Sequence, residues 1–199
     1  MSNYLDSFIE VESAQGTREV ALSTRHFMSR KLFLTGEIDT EMANKFLKQF
    51  LYLAQESNEP VTVYVNSMGG QVDAGLMIYD IMKASTLEIH MVCTGIAASM
   101  AAILLAGGQK GHRYILKHSK VMIHEPRIAD GFAGSATSIQ NMSKALMETR
   151  GLLNGILAEH TGKTIEEINQ ATSFDNYMNA EDAIAFGLCD KVLETIGNR

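Results

Sequence analysis

The run LEIHMVCTGIAASMAAILLA, Leu87 to Ala106, decides the fold class. Leu87 to Val92 reads as a strand and Ala98 to Ala106 as an apolar helix, with small residues between them that let the backbone turn tightly. The uncharged stretch from Met91 to Gly108 is interrupted by Gly95, Ser99 and Gly107. Small residues and a turn fit a buried strand followed by a buried helix better than a membrane span.

The same alternation continues on both sides. Upstream, Val61 to Val65 (VTVYV) is β-branched and aromatic and predicts a strand, which Asn66-Ser67-Met68-Gly69-Gly70 breaks as a tight loop. Asp73 to Ser85 is helical. Further back, Lys31 to Thr35 is a short strand closed by Gly36, and Asp39 or Thr40 can cap the helix that follows. Met42, Phe46, Phe50 and Leu53 recur along that helix at helical spacing. Downstream lie two short strands, Arg113 to Leu116 and Val121 to Ile123, then a long helix from about Ser135 to His160. Thr164 and Glu167 have capping-box spacing. Asn179 can cap a last helix, which Gly187 ends before a strand around Cys189 to Leu193. Strands alternating with helices predict an α/β protein. No Pro- or Ser-rich linker divides it, so one domain over residues 1–199 is expected. Residues 1–30 show no sustained period and read as an arm or loop whose order depends on a neighbour.

The chain has 199 residues and a formal net charge of −6, with no cluster of Lys and Arg. That argues against a general nucleic-acid binder. The start, MSNYLDSFIEVES, lacks the basic end and apolar run of a secretory signal. Cys93 and Cys189 both sit beside apolar neighbours and read as free buried thiols in a reducing compartment, hence a cytoplasmic protein away from membranes.

Two residues carry the chemical signal. Ser99 falls near the first turn of the apolar helix, beside unsatisfied backbone N–H groups and the positive helix end. A serine there is usually only a cap. His124 ends the strand Val121 to Ile123, and Pro126 biases Glu125 to an extended exit. An imidazole at a strand end is well placed for proton transfer at neutral pH. The remaining histidines, His26, His90, His112, His118 and His160, read as surface or capping residues. Gly69-Gly70 offers backbone donors without side-chain obstruction, as an oxyanion hole requires, or is simply a turn.

Three ordered segments, Asn66 to Gly70 (NSMGG), Gly95 to Met100 (GIAASM) and Val121 to Pro126 (VMIHEP), resemble the signature segments of the ClpP family of Ser-His-Asp peptidases. The resemblance extends through Thr35 to Ile38, Met42 to Asn44, His160 to Gly162 and Ala183 to Leu188, so nearly the whole chain is covered. It implies a crotonase/ClpP-like fold of repeated ββα units with a protruding strand-turn-helix handle over about 125–160. It further implies Ser99 as nucleophile, His124 as base, and the N–H groups of Gly70 and Met100 as oxyanion donors. The family's acid falls on Asp175, with Asp182 and Asp190 as poorer candidates and Asp73 as a further alternative. No cofactor is implied in this subunit, ATP being used by a partner, and no Cys/His spacing suggests a metal.

By the same resemblance, the partners are copies of the chain in two stacked heptameric rings, or mixed rings with a second ClpP isoform. An AAA+ unfoldase of the ClpX, ClpA or ClpC type would feed unfolded proteins into the chamber. Its docking cleft corresponds to Thr62, Tyr64, Val92, Thr94, Tyr114 and Leu193, with the two threonines making it more polar than the family's. Ser13 to Glu19 resemble axial pore loops. Three departures stand out: Met68 replaces a proline in the oxyanion loop, Glu125 to Ala133 is about two residues longer, and Phe174 stands where the family often has an arginine that pairs across rings. These predict a looser loop and altered ring pairing. Two other readings stay open: a latent subunit that needs a second isoform, and a crotonase-like acyl-CoA enzyme.

Overall fold

The computed structural model describes residues 7–13, 16–128 and 133–196. Its centre is a mixed sheet with spatial order β3 (Lys31–Ile38), β4 (Val61–Gly70), β5 (Ile89–Ala98), β6 (Arg113–Ile115) and β9 (Lys191–Val192), all parallel. Strand β5 is shared: Met91 to Cys93 pair with β6, whereas Ile96 to Ala98 pair with β7 (Lys120–Ile123). Strand β8 (Asn176–Met178) adds to β7 as the antiparallel member.

Parallel neighbours need crossovers, and helices supply them. Asp39 caps α2 (Thr40–Glu56), its carboxylate accepting from the Met42 N–H at 2.8 Å. Helix α2 buries Ala43, Phe46, Phe50 and Leu53 along one stripe. Helices α3 (Val72–Ala84) and α4 (Met100–Ala106) follow β4 and β5, and every residue of α4 is buried. The core therefore gathers around α4, with Val61, Val63 and Val65 of β4 inside and Thr62 and Tyr64 only half-covered. That alternation leaves the outer face of a parallel sheet partly open, although such sheets are usually covered on both faces.

Helix α5 (Ala136–Thr161) is 26 residues long, about 39 Å by its rise. Only its second half is packed, through Leu153, Asn154, Ile156 and Leu157, while Ile139, Met142 and Met147 are exposed. Its apolar stripe is thus not consumed inside its own chain over the first half. Helix α6 (Ile165–Ala171) carries the complete Thr164–Glu167 capping box, and Asn179 caps α7 (Ala180–Phe186), which Gly187 ends at φ +98°.

The strand expected over Leu87 to Val92 runs instead from Ile89 to Ala98, so Gly95, Ile96 and Ala97 stay in strand rather than turning. Three further local expectations need correction. The described part of residues 1–30 is not simply an arm: β1 (Phe8–Ser13) and β2 (Gly16–Ala21) pair antiparallel, followed by α1 (Leu22–Met28). The facing pairs Ile9–Val20 and Val11–Arg18 are too few to show a period in the sequence. Within the segment likened to a pore loop, Ala14 and Gln15 lie outside the described residues. Second, Gly36 does not close β3, because a bulge between Thr35 and Glu37 lets it continue to Ile38. Third, Asn66 to Gly70 is no separate loop. It remains strand, with Gly69 paired to Glu37 and Gly70 to Ile38. Of the segment leading into α5, residues 129–132 lie outside the described residues.

Candidate active site

Ser99 stands between the end of β5 and the first residue of α4 with φ +54° and ψ −124°. An L-residue pays about 1–3 kcal/mol for such backbone strain, and surrounding bonds hold it there. Its N–H donates to the Met122 carbonyl at 2.9 Å, continuing the β5–β7 ladder by one residue. The hydroxyl makes no capping bond to α4. Instead Ser99 Oγ lies 2.9 Å from His124 Nε2, so capping is not its role.

His124 follows directly on β7, with a side chain only 9% exposed. Its Nδ1 lies 2.9 Å from Asp175 Oδ1. That neighbour is set by the sheet: Ile123 faces Asn176 across the β7–β8 ladder, so His124 and Asp175 are the next residues outward on each strand. The Glu125 N–H donates to the Thr172 carbonyl at 2.7 Å, and Asn176 Nδ2 to the Ala171 carbonyl at 3.2 Å, which fasten both flanks. Thr172 is itself fixed by buried Asn154, whose Nδ2 lies 3.2 Å from its Oγ1 and 2.7 Å from Asn169 Oδ1. Glu125 also meets Arg150 of α5, with Nε 3.0 Å from Oε2.

Asp175 is the acid brought to the imidazole. Asp190 is engaged elsewhere, with Oδ1 2.6 Å from Arg113 Nη2 and Oδ2 accepting from the Gly111 and Arg113 N–H groups. Burial alone would push its carboxyl up, but those bonds hold it below the usual range. Asp182 and Asp73 lie in the first turns of α7 and α3.

The glycine pair abuts the serine. Gly69 and Gly70 take φ +95° and +156°, which favour glycine. A Cβ on Gly69 would come 2.8 Å from Ser99 Cβ and 3.1 Å from the Met100 nitrogen, and one on Gly70 would collide with the Ile38 backbone. Met100 opens α4, where N–H groups lack intrahelical acceptors. Two residues given no role by the sequence fasten this edge. Buried Ser67 donates to the Gly36 carbonyl at 2.5 Å and accepts from the Gly69 N–H at 3.0 Å, while Asn66 Oδ1 accepts from the Ile96 N–H at 3.2 Å. The strand beside Met68 is therefore anchored despite the missing proline. Met68 and Phe174 are both exposed.

The proposed cleft residues share the outer sheet face. Tyr64, Val92 and Tyr114 form one row across β4, β5 and β6, and Phe33 stacks on Tyr64 with centroids 5.3 Å apart. Thr62 lies one pleat away, and Leu193, just beyond β9, donates its N–H to the Ile115 carbonyl. Thr94 directs its hydroxyl to the Val65 carbonyl at 3.3 Å, so it adds less polarity than expected. Cys93 and Cys189 are free and buried, and burial pushes the Cys189 thiol up to about 12. Among the described residues no helix is long and apolar enough to cross a membrane.

A hydroxyl, an imidazole and a carboxylate linked in series at the edge of a mixed α/β sheet form the arrangement used by serine-dependent acyl-transfer enzymes. The family model described as Clp protease matches residues 14–196, and the chain belongs to that family. Its architecture is accordingly the ClpP/crotonase-like α/β fold.

Proposed function

We propose that the chain is the proteolytic subunit of an ATP-dependent Clp-type protease, a serine endopeptidase that cuts unfolded polypeptides into short peptides. The observation that carries this reading is the continuous chain Asp175–His124–Ser99, with 2.9 Å at both links. His124 takes the Ser99 proton through Nε2 as Oγ attacks the peptide carbonyl. Asp175 accepts from Nδ1–H, fixing the tautomer and stabilising the imidazolium. The Gly70 and Met100 N–H groups receive the oxyanion; one such donor is typically worth about 3–4 kcal/mol. His124 then protonates the leaving amine, and water, deprotonated by His124, releases the acyl group. Both steps need no cofactor in this subunit.

On this reading the chain assembles into stacked heptameric rings capped by an AAA+ unfoldase in the cytoplasm; the exposed apolar half of α5 and the half-open outer face of the sheet support contacts with other chains. The cleft through Tyr64, Val92 and Tyr114 would be the unfoldase contact. One observation favours the latent-subunit reading as a second possibility. The Asp175 side chain is 46% exposed in the single chain, so the weakest link of the triad is open to water until something covers it.

Peptide hydrolysis by the purified full chain tests the proposal, measured alone, with a second isoform whose nucleophile is removed, and with an unfoldase, ATP and a tagged folded substrate. Cleavage by the isolated chain that Ser99→Ala abolishes is the expected result. Cleavage seen only with the inactive second isoform selects the latent reading. Acyl-CoA turnover that survives Ser99→Ala, without peptide cleavage, overturns both.

A further inference from the structure

Glu88, His90 and His112 place one carboxylate and two imidazoles together at the start of β5 and β6. His90 lies nine residues before Ser99 along the strand, about 30 Å away at the rise of a strand. The cluster is therefore separate from the candidate active site. Its ligand-type atoms all lie within 4.8 Å of one another. Glu88 Oε1 is 2.5 Å from His90 Nε2 and 3.3 Å from His112 Nε2, so both rings aim the same nitrogen at one point. The rings stack with centroids 4.3 Å apart and planes 9° from parallel.

We propose that Glu88, His90 and His112 form a binding site for a divalent transition-metal ion of the Zn²⁺ class. Two imidazoles and a carboxylate are a donor set that such ions favour over Mg²⁺ or Ca²⁺. A tetrahedral ion with bonds of about 2.0–2.1 Å holds its ligand atoms about 3.3 Å apart, the scale already present here. Small ring rotations bring the three atoms around an ion in place of the shared hydrogen bonds, and water fills the remaining position.

The surroundings suit this role. His112 Nδ1 lies 3.4 Å from Tyr114 Oη, a hydroxyl placed to accept from Nδ1–H once Nε2 gives its lone pair to an ion. The backbone beneath is fixed, the Met91 N–H donating to the His112 carbonyl at 3.0 Å. The three side chains are 24–43% exposed, so an ion can enter without opening the fold. The sequence hid the site because His90 and His112 stand 22 positions apart, and only the parallel pairing of β5 with β6 joins them.

The test is titration of tag-free, chelator-stripped full-length protein with Zn²⁺ by calorimetry and with Co²⁺ by visible absorption. One equivalent per chain is expected, with affinity at least about tenfold weaker in His90→Ala, His112→Ala and Glu88→Gln, and about tenfold weaker in Tyr114→Phe. His124→Ala must retain the site, which separates it from adventitious binding at the candidate active site. Should a histidine variant fail to fold, imidazole NMR of the unaltered protein decides instead. Co²⁺ must then perturb His90 and His112 before the other histidines. Unchanged affinity in the folded variants, loss only in His124→Ala, or no saturable binding at millimolar metal overturns the proposal.

Discussion

Ile123 and Asn176 face each other across the antiparallel β7–β8 pair, and this pairing sets Asp175 beside His124. The acid is placed by a three-residue strand at the sheet margin, not by the parallel core that places Ser99. The two halves of the site therefore rest on elements of different strength.

Asp175→Asn keeps the shape of this contact while presenting an amide to Nδ1, which favours the wrong imidazole tautomer. The expected outcome in steady-state kinetics is a fall in kcat of about 10³–10⁴-fold with a smaller change in KM. Ser99→Ala should leave no measurable turnover.

Ser67 holds the glycine edge through one bond given and one received. Ser67→Ala leaves the Gly36 carbonyl and Gly69 N–H without that partner in a buried setting, at a cost of about 1–3 kcal/mol in chemical denaturation. Activity should fall mainly through kcat. Gly70→Ala should be more damaging, because its Cβ meets the Ile38 backbone, which has no flexible end to move aside.

Arg113 is 3% exposed and joins Asp190, the Ala106 carbonyl and the His160 carbonyl, tying β6 to α4, α5 and the segment before β9. Asp190→Ala would strand a buried guanidinium, and a loss of about 3–5 kcal/mol in folding stability is expected. Thermal or denaturant melts would measure it. The effect on Ser99 labelling in the remaining folded protein should be small.

His160 gives a pH signature independent of catalysis. Its ring nitrogen lies 2.8 Å from Tyr79 Oη, and burial, then Lys83, holds the imidazole below its ordinary 6.5. Burial, with Glu159 and Asp80, raises the Tyr79 hydroxyl to about 12, so it keeps its proton through neutral pH. Below pH 6.5 the unfolded chain binds a proton before the folded chain does, so stability falls with falling pH until the folded imidazole also protonates. Well above 6.5, where the imidazole is neutral in both states, this residue contributes no slope. His160→Gln should flatten that part of the profile, seen as denaturation midpoints across pH 5–7.

Much of this architecture is legible in the residues themselves. Val61 to Val65, the α2 stripe and the caps at Asp39, Thr164 and Asn179 all sit where local chemistry places them. Ser99 is also visible as a serine between an apolar strand and an apolar helix, but its positive φ and the direction of its hydroxyl are not. Those depend on Met122 and His124 across the sheet. Asp175 is less legible, since a short edge strand has little period of its own, and resemblance alone singles it out. The bulge at Gly36 and the β1–β2 pair escape for the same reason: each is fixed by its partner strand.

The most direct measurement is the reaction of purified full-length protein with a fluorophosphonate, followed by peptide mapping of the modified serine. A nucleophile activated by His124 predicts a single adduct on Ser99, lost in His124→Ala and strongly slowed in Asp175→Asn. An unmodified Ser99 in folded, assembled protein, or labelling that persists unchanged without His124, would contradict the account.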